Sequence, residues 1–331
     1  MLDFSFEKDY NKEKHKEEKT MQVLYFFESI RNPVLDFLMS TLTHLGEETV
    51  LVALALLFLW CVDKREGYYL LSVSFAGLVI NQFLKIVCRV PRPWVKDPSF
   101  TIVESARAEA TGYSFPSGHT QTAVGAYGSL AVWHRQKWLR ITMIALCVIV
   151  PITRMYLGVH TLADVLVSLA VGTLIVFALY PFFRRLAEQP NLFYIPAGII
   201  LFLSLAFLIF METYTFPADV DAYNLEHAVS NAYKIAGSML GFILMYYLDT
   251  RFWKYETKSP LLSQVCKVVL GVIVVVLIKS LLKAPLLVLT GGHEVASAIR
   301  YFLLFAVAGV CPALFPCFDR LAAKCKRSEK Q

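Results

Sequence analysis

Residues 193–212 read FYIPAGIILFLSLAFLIFME, an apolar run whose one charge is its last residue. About 20 such residues in helical form cross the ~30 Å of hydrocarbon in a bilayer. Similar runs recur at 47–62, 67–88, 118–134, 140–155, 160–182, 231–249, 262–283 and 297–317, which makes about nine spans in all. In lipid only helices or closed barrels satisfy their backbone, and unbroken apolar runs exclude a barrel, which needs alternation. The predicted fold class is therefore all-α, a polytopic transmembrane helical bundle. A hydrophobic share of 56% and a mean hydropathy of +0.53 exclude an ordinary soluble domain.

The net charge of +6 does not point to nucleic acid once its distribution is read. Alternate short loops hold Lys64 and Arg65; Arg135, Lys137 and Arg140; Arg184 and Arg185; Arg251, Lys254 and Lys258. The C-terminus adds Arg320, Lys324, Lys326, Arg327 and Lys330, whereas 213–230 and 285–297 carry no Lys or Arg. Cations gathered on one side mark the cytoplasm. The long loop 89–117 then falls on the non-cytoplasmic face, of a bacterial cell membrane or of an endoplasmic reticulum facing its lumen. The seven cysteines lie mostly in spans or in the basic tail, so neither a disulfide framework nor a metal knuckle is predicted. The expected organisation is a polar tail at 1–21, without the apolar core of a secretory signal, and an amphipathic or re-entrant segment at 22–46. A core at 47–212, additional C-terminal helices at 213–318 and a basic cytoplasmic tail at 319–331 follow.

Three clusters sit at helix ends that this topology brings to one face: Lys85 with Arg92 and Pro93, then Pro116-Ser117-Gly118-His119, then Arg154 with His160 and Asp164. Each cation alone reads as a snorkelling anchor. Together, Lys85, Arg92 and Arg154 form a site for a multiply charged anion, and the planar oxygen pairs of phosphate suit arginine. Ser117 can cap the helix that follows, and Gly118 lets its backbone approach an anion at the helix start. His119 falls in the first turn of that helix. His160 and Asp164 are four apart and share a face, so the carboxylate can hold one imidazole nitrogen and leave the other to attack phosphorus. His119, charged beside bound phosphate, is then the general acid for the leaving oxygen. No metal cofactor is called for, and no acidic cluster in the outer loops is expected to hold one.

K-x6-R-P, P-S-G-H and R-x5-H-x3-D, in that order, resemble the signature of the type 2 phosphatidic acid phosphatase superfamily. The resemblance implies a six-helix phosphatase core and a metal-independent phosphatase acting on a membrane lipid phosphate. Lys85, Arg92, Arg154, Ser117 and Gly118 would bind the phosphate, His160 would form a phosphohistidine, Asp164 would orient it, and His119 would be the acid. One departure is Thr153, where the superfamily usually has Ser; the hydroxyl is kept. The layout over roughly 45–318, including LGEETVLVALALLFLWCVDKREG and the last two spans, looks most like the sphingosine-phosphate phosphatase branch. Gly118 departs from that branch, which typically has Thr there. The implied substrate is a sphingosine-1-phosphate-like or lysolipid phosphate. Polyprenyl diphosphate and phosphatidylglycerophosphate phosphatases are the alternative, and a lipid transporter is an alternative of another class. The partners expected are the lipid substrate and the bilayer; the oligomeric state is left open.

Two further stretches call for a reading. Loop 95–115 is long enough for a lid, with Glu104, Arg107 and Glu109 read as solvated rather than as headgroup contacts. Lys279 and Lys283 share a helix face near His293, Glu294 and Arg300, as snorkelling anchors with an ion pair or as an accessory headgroup site.

Overall fold

The computed structural model describes residues 21–328, which form helices joined by mostly short connections and one long loop, 89–117, without a strand among them. The expected 1–21 tail and the last residues of the basic C-terminus lie outside the described residues, save Met21. The chain opens with α1 (21–29) and α2 (Pro33–Thr43), the latter capped by the Asn32 side chain. Helix α3 (Glu48–Leu57) is extended by a π turn, Phe58–Val62, and α4 (Lys64–Cys88) is capped by Asp63. The next helix, α5, covers 118–133 with a π turn at Val124–Gly128 in its middle. Helices α6 (Lys137–Tyr156), α7 (Leu162–Arg184), α8 (Tyr194–Thr213) and α9 (Ala222–Leu248) follow. The chain closes with α10 (Leu261–Leu281), α11 (Val295–Val310) and α12 (Phe315–Ser328).

Seven of the nine expected spans stand as helices long and apolar enough to cross a membrane. The other two differ for identifiable reasons. The 47–62 run is the second arm of a pair with Pro33–Gly46, bent by 50° where Gly46 and Glu47 interrupt the helix; the pair makes at most one further span. The 118–134 run is a helix of about 24 Å, too short to count as a span by length, and sheltered by α4, α6 and α7. The predicted basic tail is helical to Ser328.

The C-terminal helices dock through small residues. Gly237 and Gly241 of α9, one turn apart, face the backbone of α11: a Cβ on Gly237 would lie 2.0 Å from the Ala298 carbonyl oxygen, and one on Gly241 2.5 Å from that of Phe302. Such glycine pairs let membrane helices approach backbone to backbone. An apolar core including Leu51, Tyr69, Val124, Ile175, Phe242 and Phe305 then runs through both halves of the chain.

The basic loops meet at one end of the bundle. Lys64 pairs with Asp249 at 2.9 Å, Arg65 with Asp63 at 2.8 Å, and His134 with Glu66 at 2.9 Å. The Tyr68 hydroxyl donates to Asp249 at 3.1 Å. The opposite end is closed by α1, α2 and loop 95–115. Tyr25 donates to Asp97, Arg31 Nη1 to the Thr101 carbonyl at 2.7 Å, and the Val103 amide to the Leu157 carbonyl at 3.1 Å. The long loop is thus strapped down by the N-terminal segment, a pinned cover where the sequence suggested a free lid.

Candidate active site

Under that cover lies a cavity of about 230 Å³ lined by Lys85, Arg92, Gly118, His119, Arg154 and His160. Local chemistry explains how they arrive there. Helix α4 ends at Arg89, whose φ of 49° stops the helix in the left-handed region and turns the chain back, so that Arg92 reaches the cavity. Helix α7 begins with a capping box in which Thr161 and Asp164 bond reciprocally, and this holds the Asp164 carboxylate beside His160.

His160 is buried, 2% exposed, with its ring between two partners. Its Nδ1 lies 3.5 Å from Oδ2 of Asp164, and its Nε2 is 3.0 Å from Arg92 Nη1. A guanidinium only donates, so Nε2 carries the lone pair and Nδ1 carries the proton on the Asp164 side. Burial, and then the Arg92 charge, hold His160 well below the ordinary histidine range, which keeps the ring neutral. Asp164 Oδ2 also accepts from Ser114 Oγ at 2.6 Å and from the Thr161 amide at 2.7 Å.

The three cations are buried and meet neutral acceptors. Lys85 Nζ donates to the Tyr113 carbonyl; Arg92 donates to the carbonyls of Thr111, Gly112 and Val159 at 2.7–3.1 Å; Arg154 Nη1 donates to Thr43 Oγ1 at 2.9 Å. The Nε of Arg154 has no hydrogen-bond partner. Among the described residues no carboxylate lies within 4 Å of any of the three. Across the cavity His119 Nε2 stands 3.7 Å from Oε2 of Glu109, otherwise unpartnered.

Two expectations need correction. The Ser117 amide is not free for an anion, because it donates to the Asp164 carbonyl at 3.2 Å; the Ser117 hydroxyl caps α5 instead, accepting from the Thr120 amide. Ser117 and Asp164 therefore stand behind the cavity wall, leaving the amides of Gly118 and His119 at the helix start. The loops at the active-site end do contain a grouping with metal-ligand spacing. His44, Glu47 and Glu109 bring ligand atoms within 4.8 Å of one another on the outer lip, because α2 is folded against the loop. Glu109 is exposed, as expected, but it also faces His44 at 3.6 Å and His119 at 3.7 Å. His119 and His44 beside it hold its carboxyl below the usual carboxylate range, His119 contributing most.

The cavity also has residues that motif reading missed. Asn81, Gln121, Asn224, His227 and Asn231 line it. Asn81 is one turn before Lys85 on α4, and Asn224, His227 and Asn231 recur at one-face spacing on α9; that polar stripe was the available signal. Lys279 and Lys283, expected on one face, are parted by the helix break at Leu282. Glu294 accepts from Ser230 at 2.9 Å in a separate pocket shared with Lys234, Lys283 and Arg300.

The comparisons with known proteins agree with the motifs. The model of the PAP2 superfamily matches residues 65–188, and that of the PAP2 superfamily phosphatase transmembrane extension matches 233–324. The undecaprenyl-diphosphatase BcrC of Bacillus subtilis is 32% identical over 158 residues, 46% of this chain and 78% of that protein. This chain belongs to the PAP2 superfamily. It is a multi-span membrane enzyme, a lipid phosphatase of that superfamily. The phosphatidylglycerophosphatase B of the same organism is 29% identical, covering 47% of this chain and 79% of that protein. The sphingosine-1-phosphate phosphatase 1 of Rattus norvegicus is 22% identical, covering 77% of this chain and 61% of that protein.

Proposed function

We propose that this enzyme hydrolyses the phosphomonoester of a single-chain membrane lipid, sphingosine-1-phosphate-like or a lysolipid phosphate, through a phosphohistidine on His160. The observation that carries the reading is that three buried cations without carboxylate partners line one cavity with His160, whose lone pair meets Arg92 at 3.0 Å. Lys85, Arg92 and Arg154 bind the phosphate with the Gly118 amide, and they stabilise the charge that builds on its equatorial oxygens. His160 Nε2 forms a bond to phosphorus as the ester P–O bond breaks, and His119 gives its proton to the departing alkoxide. Water then attacks the phosphohistidine, its proton passes to His119, and inorganic phosphate leaves. Asp164 holds the Nδ1 proton of His160 throughout, and Ser117 fixes the start of α5. We assign catalysis to residues 47–212 and substrate selection to the helices of 213–318, with the active site on the non-cytoplasmic face, opposite the basic loops.

The single-chain assignment draws on the alignment with the rat sphingosine-1-phosphate phosphatase, which runs over 77% of this chain, against 46% for BcrC. The higher identity of the two Bacillus proteins favours the second reading, a polyprenyl diphosphate or phosphatidylglycerophosphate phosphatase. A transporter would need the cations but neither an acid nor a nucleophile. Phosphate release in EDTA from sphingosine phosphate, lysophosphatidate, phosphatidate and polyprenyl diphosphate separates these. Fastest release from the single-chain phosphates, blocked by vanadate, is the expected result. Preference for polyprenyl diphosphate selects the second reading, and release from none of them defeats the enzymatic assignment.

A further inference from the structure

Beside the catalytic cavity lies a second one of about 260 Å³ with different chemistry. Its walls are mostly aliphatic and aromatic, with Val52 and Leu56 from α3, Val272 and Val276 from α10, and Leu304 and Phe305 from α11; Lys279 of α10 also lines it. The two cavities share Glu48 and Ser74, so the apolar slot opens at one end into the pocket that holds Lys85, Arg92 and Arg154. Along α3 the slot extends from Glu48 to Trp60, about 18 Å of helix. That is close to one leaflet of a ~30 Å hydrocarbon core. Trp60 closes the far end, packed so tightly on α10 that a Cβ on Gly271 would lie 2.6 Å from its ring.

The mouth carries a charge that the aliphatic walls do not need. Among the described residues no hydrogen bond or ion pair holds the Glu48 carboxylate; Lys279 and Lys234 act on it from beyond ion-pair contact. Glu48 is exposed at that mouth, in the first turn of α3, where a ligand's cation can reach it. Glu48 stands between the phosphate pocket and the slot, where the polar segment of an amphiphile joins its chain.

We propose that the slot holds the hydrocarbon chain of the substrate while its phosphate lies among Lys85, Arg92 and Arg154, and that Glu48 takes an ammonium carried between the two. The ligand class is a single-chain lipid phosphate with an amine beside the phosphate-bearing carbon. This rests on the lipid phosphatase reading above and gives α10 and α11, outside the catalytic helices, the task of reading the chain. A polyprenyl chain brings no cation for Glu48, and a two-chain glycerolipid brings one chain more than the slot accepts.

The test uses the full-length protein in liposomes with long-chain and short-chain 2-aminoalkyl phosphates, and with the long-chain 2-hydroxyalkyl phosphate. Val276→Trp fills the slot and raises KM for the long-chain amine about tenfold, the worth of a couple of buried methylenes, with a much smaller change for the short chain. Leu174→Trp, on the outer face of α7 where Leu174 is 70% exposed, serves as control and alters neither. Glu48→Gln raises KM for the long-chain amine and spares the hydroxy analogue. Equal effects on long and short chains, or on amine and hydroxyl, overturn the assignment while leaving the phosphatase reading intact. Binding is read without turnover by photo-crosslinking a chain-end diazirine analogue of the amine to the His160→Ala protein. Label within 48–60 and 261–281 is expected; label only on α7 and α8, or none, overturns the slot. A wild-type chain inactive on every lipid defeats the phosphatase reading alone.

Discussion

The two ends of this bundle bury charge in opposite ways. At the basic-loop end Asp249 and Asp63 each have a cation against them, Lys64 at 2.9 Å and Arg65 at 2.8 Å, and Glu66 meets His134 at 2.9 Å. At the other end Lys85, Arg92 and Arg154 share one cavity and donate to neutral acceptors alone: carbonyls, a hydroxyl and the His160 ring. Paired charges hold a structure in register, and deleting one partner leaves the other unpaired. Unpaired like charges destabilise the empty protein and are relieved by an anion, so the same residue type serves stability at one end and binding at the other.

The largest expected contrast comes from the nucleophile. His160→Ala lowers kcat for phosphate release by about 10⁵-fold, as loss of a nucleophile does in enzymes that work through one, with helical content unchanged by circular dichroism. Asp164→Asn follows at about 10³-fold, since the amide can no longer hold the Nδ1 proton; unaltered turnover would remove Asp164 from the mechanism. Arg92→Gln costs about 10²-fold in kcat/KM and makes the empty protein no less stable. It also moves the acid limb of the pH profile upward: Arg92 disfavours the protonated ring, so removing it raises the His160 pKa and protonation begins at higher pH. In the wild type that limb lies below the ordinary histidine range.

Asp249→Asn tests the opposite end. It lowers stability by about 1–3 kcal/mol in a thermal shift series and leaves turnover of the folded enzyme unaltered. A loss of activity without a loss of stability would contradict the division between the ends. The smallest effect is expected at Gly118. A Cβ there meets nothing closer than Asn81 Oδ1 at 3.9 Å, so Gly118→Ala gains about 0.5–1 kcal/mol of helix stability and changes KM by less than about threefold.

Much of this was legible in the sequence, and the particular residues explain why. The apolar runs gave the spans, and the three motifs gave six residues that line one cavity together with Asp164 and Ser117 behind it, because each motif is a local device at a helix end. Uses that depend on a distant partner stayed hidden. The Ser117 amide looked free because the carbonyl that takes it belongs to Asp164, on another helix. Glu109 is solvated as read, but its histidine neighbours stayed hidden because His44 and His119 reach it only after α2 folds against loop 95–115. The bend at Gly46 and Glu47 and the π turn inside α5 leave no periodic signature, so both adjoining runs read as plain spans. The face of Asn224, His227 and Asn231 was readable, but its spacing gains meaning only once α9 is known to border the cavity.

The most direct test of the central proposal is trapping the phosphoryl enzyme. The full-length protein is mixed with a single-chain lipid phosphate labelled in its phosphorus, quenched under alkaline denaturing conditions, digested and mapped. The predicted result is an acid-labile, alkali-stable label on the peptide containing His160, absent from His160→Ala. Turnover by the wild type with no trapped label, or label persisting in His160→Ala, would contradict it.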